Sequence, residues 1–204
     1  MRVSSLLGRV QDKQEEKVCQ SHLANEQLHQ LLEQVDADLA EAARQGPCRY
    51  CGGKLHRADY DRKPRGGPQW DQRSSFCCAQ EGCRRRLTPA SVRFLGRRVY
   101  AGVVVVLVSA LSHGLSATRV QRLREALGID RRTLERWRQW WLETFVQSPF
   151  WKAARGRLMP PVDPARLPWP LWERFEAHFQ NRVVKLLQFL APLTGPRSEE
   201  GAVM

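Results

Sequence analysis

No apolar run in this 204-residue sequence approaches the ~20 residues that a membrane-spanning helix needs. The longest, Ala101–Leu111, is only about half that length. A secretory signal is missing too, since Met1–Val10 offers a two-leucine apolar core and nothing more. These absences set the expectation of a cytoplasmic protein with no membrane partner, whose thiols are reduced or metal-bound. Lysine is absent from residues 84–141, and acids are scarce there. Thirteen arginines share that window with Glu125, Asp130 and Glu135, a net charge of +10. The chain as a whole carries +12, so the window holds most of the excess. Residues 1–47, by contrast, are net −3 and residues 142–204 net +2. Basic charge concentrated in this way points to a polyanion as partner.

A nuclease trio of acids is also lacking. After Trp141 the acids are Glu143, Asp163, Glu173, Glu176, Glu199 and Glu200. No alternating strand–helix pattern holds them, so a two-metal catalytic site is not supported.

Cysteine is sparse but concentrated. Five of the six fall between Cys48 and Cys83, and Cys19, outside that stretch, has no assigned role. Cys48-Arg-Tyr-Cys51 has the two-residue gap that lets one tight turn aim two sulfurs at one metal. Gly52 and Gly53 follow where such a knuckle needs positive φ and open amides. The second half-site is Cys83 with Cys78, or with its neighbour Cys77. A strand alternates its side chains, so only one of Cys77 and Cys78 can face the metal. Phe76 shares a face with Cys78 and would pack beneath the site, which favours Cys78. A disulfide staple would need an oxidising compartment. The expectation is a structural zinc ribbon with Zn²⁺ on Cys48, Cys51, Cys78 and Cys83.

Before the ribbon, Leu28, Leu32, Val35, Leu39 and Ala42 recur at helical spacing and predict an amphipathic helix ending at Gly46-Pro47. Between the knuckles, Leu55–Arg73 reads as a polar basic loop. Beyond the ribbon, Val99–Ser112 is rich in β-branched residues, yet its length favours a buried helix ended by His113-Gly114. Ser116 is a good N-cap for a helix with Val120, Leu123 and Leu127 on one face. Gly128 breaks it, and Asp130 caps the next helix, with Leu134, Trp137 and Trp141 inward. Arg131, Arg132, Thr133 and Arg136 fall on the outer face. Helix, glycine turn and capped helix form the pattern of a helix-turn-helix, whose second helix reads the major groove from its N-terminal end. Trp137 and Trp141 are in core phase, which favours anchoring over base stacking. Six prolines between Pro149 and Pro170 predict a linker, and an amphipathic helix follows over 170–190.

Taken together, Cys48-x-x-Cys51-Gly-Gly, Cys78…Cys83-Arg-Arg-Arg and Gly128-Ile-Asp-Arg-Arg-Thr-Leu-Glu-Arg-Trp137 resemble a known module. It is the zinc-ribbon plus helix-turn-helix module of bacterial insertion-sequence transposases and their companion DNA-binding proteins. The resemblance covers roughly residues 46–142 and implies recognition of element DNA. The catalytic half of such transposases is missing here.

The expected fold class is mainly α with a small β zinc ribbon, the other helices forming a helix-turn-helix bundle. The expected order is an N-terminal helix (1–46), zinc ribbon (47–97) and helix-turn-helix domain (98–147). A proline-rich linker (148–169), C-terminal helix (170–191) and disordered tail (192–204) follow. The expected function is non-enzymatic, sequence-specific binding of double-stranded DNA by a nucleoid-associated protein without a small-molecule substrate. Arg84, Arg85, Arg86, Arg97 and Arg98 would meet phosphates, while Arg131, Arg132, Thr133 and Arg136 would lie in the groove. A homodimer is expected from the apolar faces of the first and last helices. The alternatives are a remnant or partner-dependent transposase or nuclease subunit and an RNA-binding module.

Overall fold

A computed structural model describes residues 21, 23–66, 71–95, 100–110, 117–175 and 178–196. The protein is mostly helical, with two small antiparallel sheets. It divides into two compact units, Met1–Leu28 with Val103–Leu186, and His29–Gly102 with Leu187–Met204. Among the described residues, no helix is long and apolar enough to cross a membrane.

Helix α1 spans Glu26–Gln45. Asn25 starts it, its side-chain oxygen accepting from the Leu28 amide at 3.2 Å, and Glu26 and Arg44 suit the two ends of the helix dipole. The buried stripe is not quite the expected one. It runs Leu28, Leu32, Asp36, Ala40, at a strict four-residue spacing, while Val35 and Leu39 are half-buried and Ala42 is exposed. The stripe is turned because Asp36, 3% exposed, has partners of its own inside the unit. Its Oδ2 accepts from the Ser91 hydroxyl at 2.6 Å and from Arg93 Nε at 2.9 Å, and its Oδ1 from the Val92 amide at 2.7 Å.

Among the described residues, five short strands follow α1: β1 (Leu55–Arg57), β2 (Tyr60–Arg62), β3 (Asp71–Arg73), β4 (Phe76–Cys78) and β5 (Arg86–Leu87). One sheet has the order β1-β4-β5, with Leu55 opposite Cys78 and Phe76 opposite Leu87. The other is the antiparallel pair β2-β3, with Tyr60 opposite Arg73. The stretch expected to be a loop therefore supplies three strands, because Leu55, Tyr60 and Arg73 have faces to half-bury or bury that a polar count does not reveal. Arg73 is buried and donates to the Pro89 carbonyl. Burial pushes its guanidinium below the ordinary range, against the opposing pull of Asp36. Part of the expected disordered tail is ordered as well. Ala191–Thr194 form a 3₁₀ turn, because Thr194 Oγ1 takes the Ser91 amide at 2.7 Å.

Helix α2 (Gly102–Ala110) is apolar all round, and Val103–Val108 are all buried, as befits a helix with no solvent face. Gly102 is required at its start: a Cβ there would lie 2.9 Å from the Val92 carbonyl oxygen. Helices α3 (Ala117–Leu127) and α4 (Arg131–Gln139) follow. The expected stop at His113-Gly114 and the Ser116 cap lie outside the described residues. A π-helical turn, Trp140–Phe145, continues α4 directly.

Two of the prolines of 148–169 begin helical turns rather than prevent them, and the expected linker is folded. A proline costs nothing at the first helical positions, where its missing N–H would have no partner. Pro149 opens α5 (Pro149–Ala154), whose N-cap Ser148 accepts from the Trp151 amide at 3.1 Å. Pro164 opens a 3₁₀ turn, Pro164–Arg166, capped by Asp163. Trp151 and Leu167 are buried. The single helix expected over 170–191 is divided into α6 (Trp169–Arg174) and α7 (Phe179–Leu190). Phe175 is extended at φ −83°, ψ 151°, and Arg182 Nε donates to its carbonyl at 3.1 Å. The break sets Trp172 edge-on to Phe179, with ring centroids 5.1 Å apart.

Candidate metal centre

Two knuckles bring four cysteines together. In the first, the Gly52 amide donates to the Cys48 carbonyl at 2.7 Å and the Cys48 amide to the Gly53 carbonyl at 2.8 Å. That turn requires a left-handed residue, and Gly52 has φ 73°. In the second, the Cys83 and Arg84 amides both donate to the Gln80 carbonyl, at 3.1 and 3.2 Å. Gly82 (φ 85°) and Arg84 (φ 44°) supply its positive-φ positions. The Cys78 amide ties it to the Arg85 carbonyl at 3.0 Å.

The sulfurs of Cys48, Cys51, Cys78 and Cys83 all lie within 4.8 Å of one another, close enough to hold a metal ion. Cys48 and Cys83 are 3.8 Å apart, sulfur to sulfur, and Cys51 and Cys78 are 3.3 Å apart. A tetrahedral ion with bonds of about 2.3 Å places its sulfurs about 3.8 Å from each other, so the donor set fits such a centre. Backbone amides surround the sulfurs. The Tyr50 amide, then that of Cys51, and neighbouring thiols hold Cys48 down to about 7 against the opposing effect of burial. At Cys51 the Gly53 amide acts downward, but Cys78, burial and Cys48 together leave the thiol raised. Burial pushes Cys78 up. At Cys83 the Arg85 amide acts downward, and burial with the Cys51 and Cys48 sulfurs outweighs it. One thiol is therefore prepared to ionise near neutral pH, and the others would lose their protons to solvent on binding a metal.

Strand alternation decides the fourth ligand as expected. Cys78 is buried on the Phe76 face of β4, while Cys77 turns the other way and its Sγ donates to the Arg84 carbonyl at 3.3 Å. Gly53 has a separate role from Gly52. A Cβ at Gly53 would lie 3.1 Å from Cys78 Sγ, 3.2 Å from Gln80 Cβ and 3.4 Å from Cys51 Sγ. A metal-bound sulfur cannot give way cheaply. Gly53→Ala is therefore expected to weaken metal binding on the order of tenfold, measured by competition with a chromophoric chelator; unchanged affinity would show that the knuckle is free to shift.

The arginines fall into separate places. Arg84, Arg85 and Arg86 are exposed on the ribbon, Arg85 with its guanidinium 4.4 Å from the Tyr50 ring and Arg86 5.6 Å from Tyr60. Arg97 and Arg98 lie outside the described residues. Arg131, Arg132 and Arg136 are exposed on α4. Gly128, at φ 66°, ends α3, and Asp130 caps α4, accepting from the Thr133 amide at 2.7 Å. That amide, first among the causes, holds the Asp130 carboxyl below its ordinary range. Ile129, Leu134, Trp137 and Trp141 are buried, so the expected core face holds. Thr133 is the exception among the outer-face candidates. It is 5% exposed, and its hydroxyl accepts from Arg136 Nη2 at 2.9 Å, so it is placed to orient Arg136 rather than to touch a base. The sequence analysis placed it on the outer face, whereas it lies four residues before buried Trp137 and shares that inward side.

No family model matches this chain, and no curated protein or solved structure is detectably similar to it.

Proposed function

We propose that this chain is a zinc-stabilised, sequence-specific DNA-binding protein of mobile-element type that acts on the nucleoid by binding rather than by catalysis. Helices α3 and α4 would serve as a helix-turn-helix. The observation that carries the reading is the division of α4 into two faces. Leu134 and Trp137 anchor it inward, Asp130 fixes its N-terminus, and Arg131, Arg132 and Arg136 are exposed over its first two turns. Planar guanidinium forks at the start of a capped helix are the chemistry that pairs bidentately with guanine O6 and N7. Zinc is the metal proposed for the four thiolates, which contain no harder donor. The ribbon's Arg84, Arg85 and Arg86 would neutralise phosphates.

Two groups of substitutions in one assay test the reading. Arg131→Ala, Arg132→Ala or Arg136→Ala should cost about 1–3 kcal/mol on the preferred site and relax preference at one base pair, wherever the residue pairs with guanine. Arg84→Ala, Arg85→Ala or Arg86→Ala should weaken all sequences alike and lower the salt slope by roughly one unit. A uniform loss from both groups, with preference unchanged, removes base reading from α4. A second reading, binding of unpaired RNA, is favoured by Tyr50. This ring is 39% exposed, with the Arg49 and Arg85 guanidiniums 4.9 and 4.4 Å from its centroid, the pairing of aromatic and cation that unpaired bases stack on. Competition between duplex DNA and single-stranded RNA separates the two.

A further inference from the structure

The stretch from Ser148 to Leu167 has the composition of a linker but is folded, and its surface charge is one-sided. It carries four cations, Lys152, Arg155, Arg157 and Arg166, and one acid, Asp163, a net charge of +3. All four cations are exposed. None has an ion-pair partner among the described residues. Asp163 caps its own turn, its Oδ1 accepting from the Ala165 amide at 3.0 Å. Glu143, the acid of the adjoining π turn, accepts from Gln139 Nε2 at 2.9 Å. The backbone beneath the cations is held in place. Ser148 Oγ donates to the Phe145 carbonyl at 2.6 Å and accepts from the Trp151 amide at 3.1 Å, which joins α5 to the end of the π turn. Trp151 is 2% exposed and lies against Phe145, with ring centroids 5.1 Å apart. Lys152 and Arg155, three positions apart on the helical path, share a side. Arg157 follows in the 3₁₀ turn Arg155–Arg157. Arg174 donates to the Met159 and Pro160 carbonyls and steadies the loop that leads on to Arg166. Arg166 shares with Arg138, in the last turn of α4, the wall of a cavity beside Trp141. A cation at the end of α5 suits the helix dipole. That accounts for Lys152 or Arg155 and leaves Arg157 and Arg166 without a structural task.

We infer that the folded segment Ser148–Leu167 is a second DNA-backbone surface, on which Lys152, Arg155, Arg157 and Arg166 hold phosphates flanking the base pairs read by α4. The inference rests on the DNA-binding reading and extends it to residues that reading leaves unassigned. A helix that reads bases from its N-terminal end can bring its C-terminal end to the sugar–phosphate backbone. Arg138 stands at that end of α4, and Arg166 borders the same cavity. Three of the four cations are arginines, whose guanidinium forks match phosphate oxygens. Their unpaired charge is the complement of a duplex, which carries one negative charge per about 1.7 Å of its axis. Because the segment is anchored by buried Trp151 and Leu167, little ordering is left to be done on binding. Contacts of this kind fix register and orientation and carry no sequence information.

The experiment measures duplex binding by the full-length, metal-loaded protein as a function of salt. The probes are the preferred site selected from a random pool and a mixed-sequence duplex of about 30 bp, three helical turns. Lys152→Gln, Arg155→Gln, Arg157→Gln and Arg166→Gln alter exposed side chains, so the urea midpoint should not move. Each should weaken both duplexes alike and lower the salt slope by roughly one unit, and the fourfold variant should lower it by about three to four. Base preference should stay as it is. In a hydroxyl-radical footprint on the preferred site, the fourfold variant should lose protection along one run of backbone beside the α4 site and keep the rest. Arg44→Gln controls for net charge, since Arg44 is exposed and already paired with Glu41 at 2.8 Å, and it should keep the wild-type slope. The inference alone fails if the wild type binds duplex and the α4 variants relax its preference, yet the fourfold variant has the slope or the footprint of Arg44→Gln. A wild type that binds no duplex removes the DNA-binding reading and this surface with it. A fourfold variant that loses unpaired RNA and keeps duplex binding gives the surface another partner and overturns the inference as well.

Discussion

Cys78→Ser is expected to abolish stoichiometric metal binding and to unfold the ribbon, whereas Cys77→Ser should keep about one equivalent of metal per chain. The two sulfurs are neighbours in sequence, so the contrast isolates geometry from composition. Cys78 Sγ lies 3.3 Å from Cys51 Sγ, while Cys77 Sγ points to the Arg84 carbonyl. The β1-β4-β5 sheet has strands of three, three and two residues and cannot stand on its own ladder. A metal on the four sulfurs would close it, and metal-binding free energy would then be folding free energy. Chelation should therefore remove the same structure as Cys78→Ser. Proton competition sets the pH dependence. Cys51, Cys78 and Cys83 are all raised above the ordinary thiol value, and each must lose a proton to bind metal. Affinity should rise with pH through and above neutrality and fall as the solution is acidified. Metal analysis of the reduced variants decides the matter. Equal metal content in both would show that Cys77 can replace Cys78, and a ribbon that survives chelation would make the metal dispensable for folding.

The parts of this site that were legible in sequence are those fixed by local chemistry. Two cysteines three positions apart, followed by Gly52, define a knuckle whatever surrounds them. Choosing Cys78 over Cys77 needed only the alternation of a strand and the neighbouring Phe76. Asp130 and Gly128 marked the turn before α4 for the same reason, since a cap and a left-handed residue act within four positions. Val103–Val108 could be read as helix against its β-branched composition because of its length and flanking residues.

What was hidden depends on partners far along the chain. Asp36 reads as a polar interruption in an amphipathic seam, and its partners Ser91, Val92 and Arg93 lie 55 to 57 positions away. Thr194 could not be ordered on paper because Ser91, which it holds, is 103 positions distant. The proline-rich stretch misled differently. Proline forbids helix interiors but favours helix starts, and composition alone does not say which position each proline occupies. The cavity beside Trp141 has walls drawn from α2, α4, the π turn and residues 165–168, so no window of sequence contains it.

Asp36→Ala should cost about 3–5 kcal/mol, the usual penalty for removing one partner of a buried ion pair. That is a large share of the ~5–15 kcal/mol that holds a typical domain together. The argument counts what is left behind. Without the carboxylate, the Ser91 hydroxyl and the Val92 amide lose their acceptor, and Arg93 Nε loses a 2.9 Å ion pair in a side chain only 14% exposed. Buried Arg73 loses the negative charge that opposes its own desolvation. Asp36→Asn should do nearly as badly. It keeps one oxygen, but it brings an NH₂ to a place surrounded by donors and removes the charge that Arg93 and Arg73 need. Glu33 supplies the control, because it also approaches Arg93, at 4.0 Å, but is 70% exposed. An exposed pair of that kind is worth at most about 1 kcal/mol, so Glu33→Ala should shift the urea midpoint slightly. Urea unfolding of the three variants, with metal present throughout, gives the comparison. If Asp36→Ala and Glu33→Ala fall within about 1 kcal/mol of each other, the Asp36 carboxylate is not the residue that joins α1 to the Ser91–Arg93 turn.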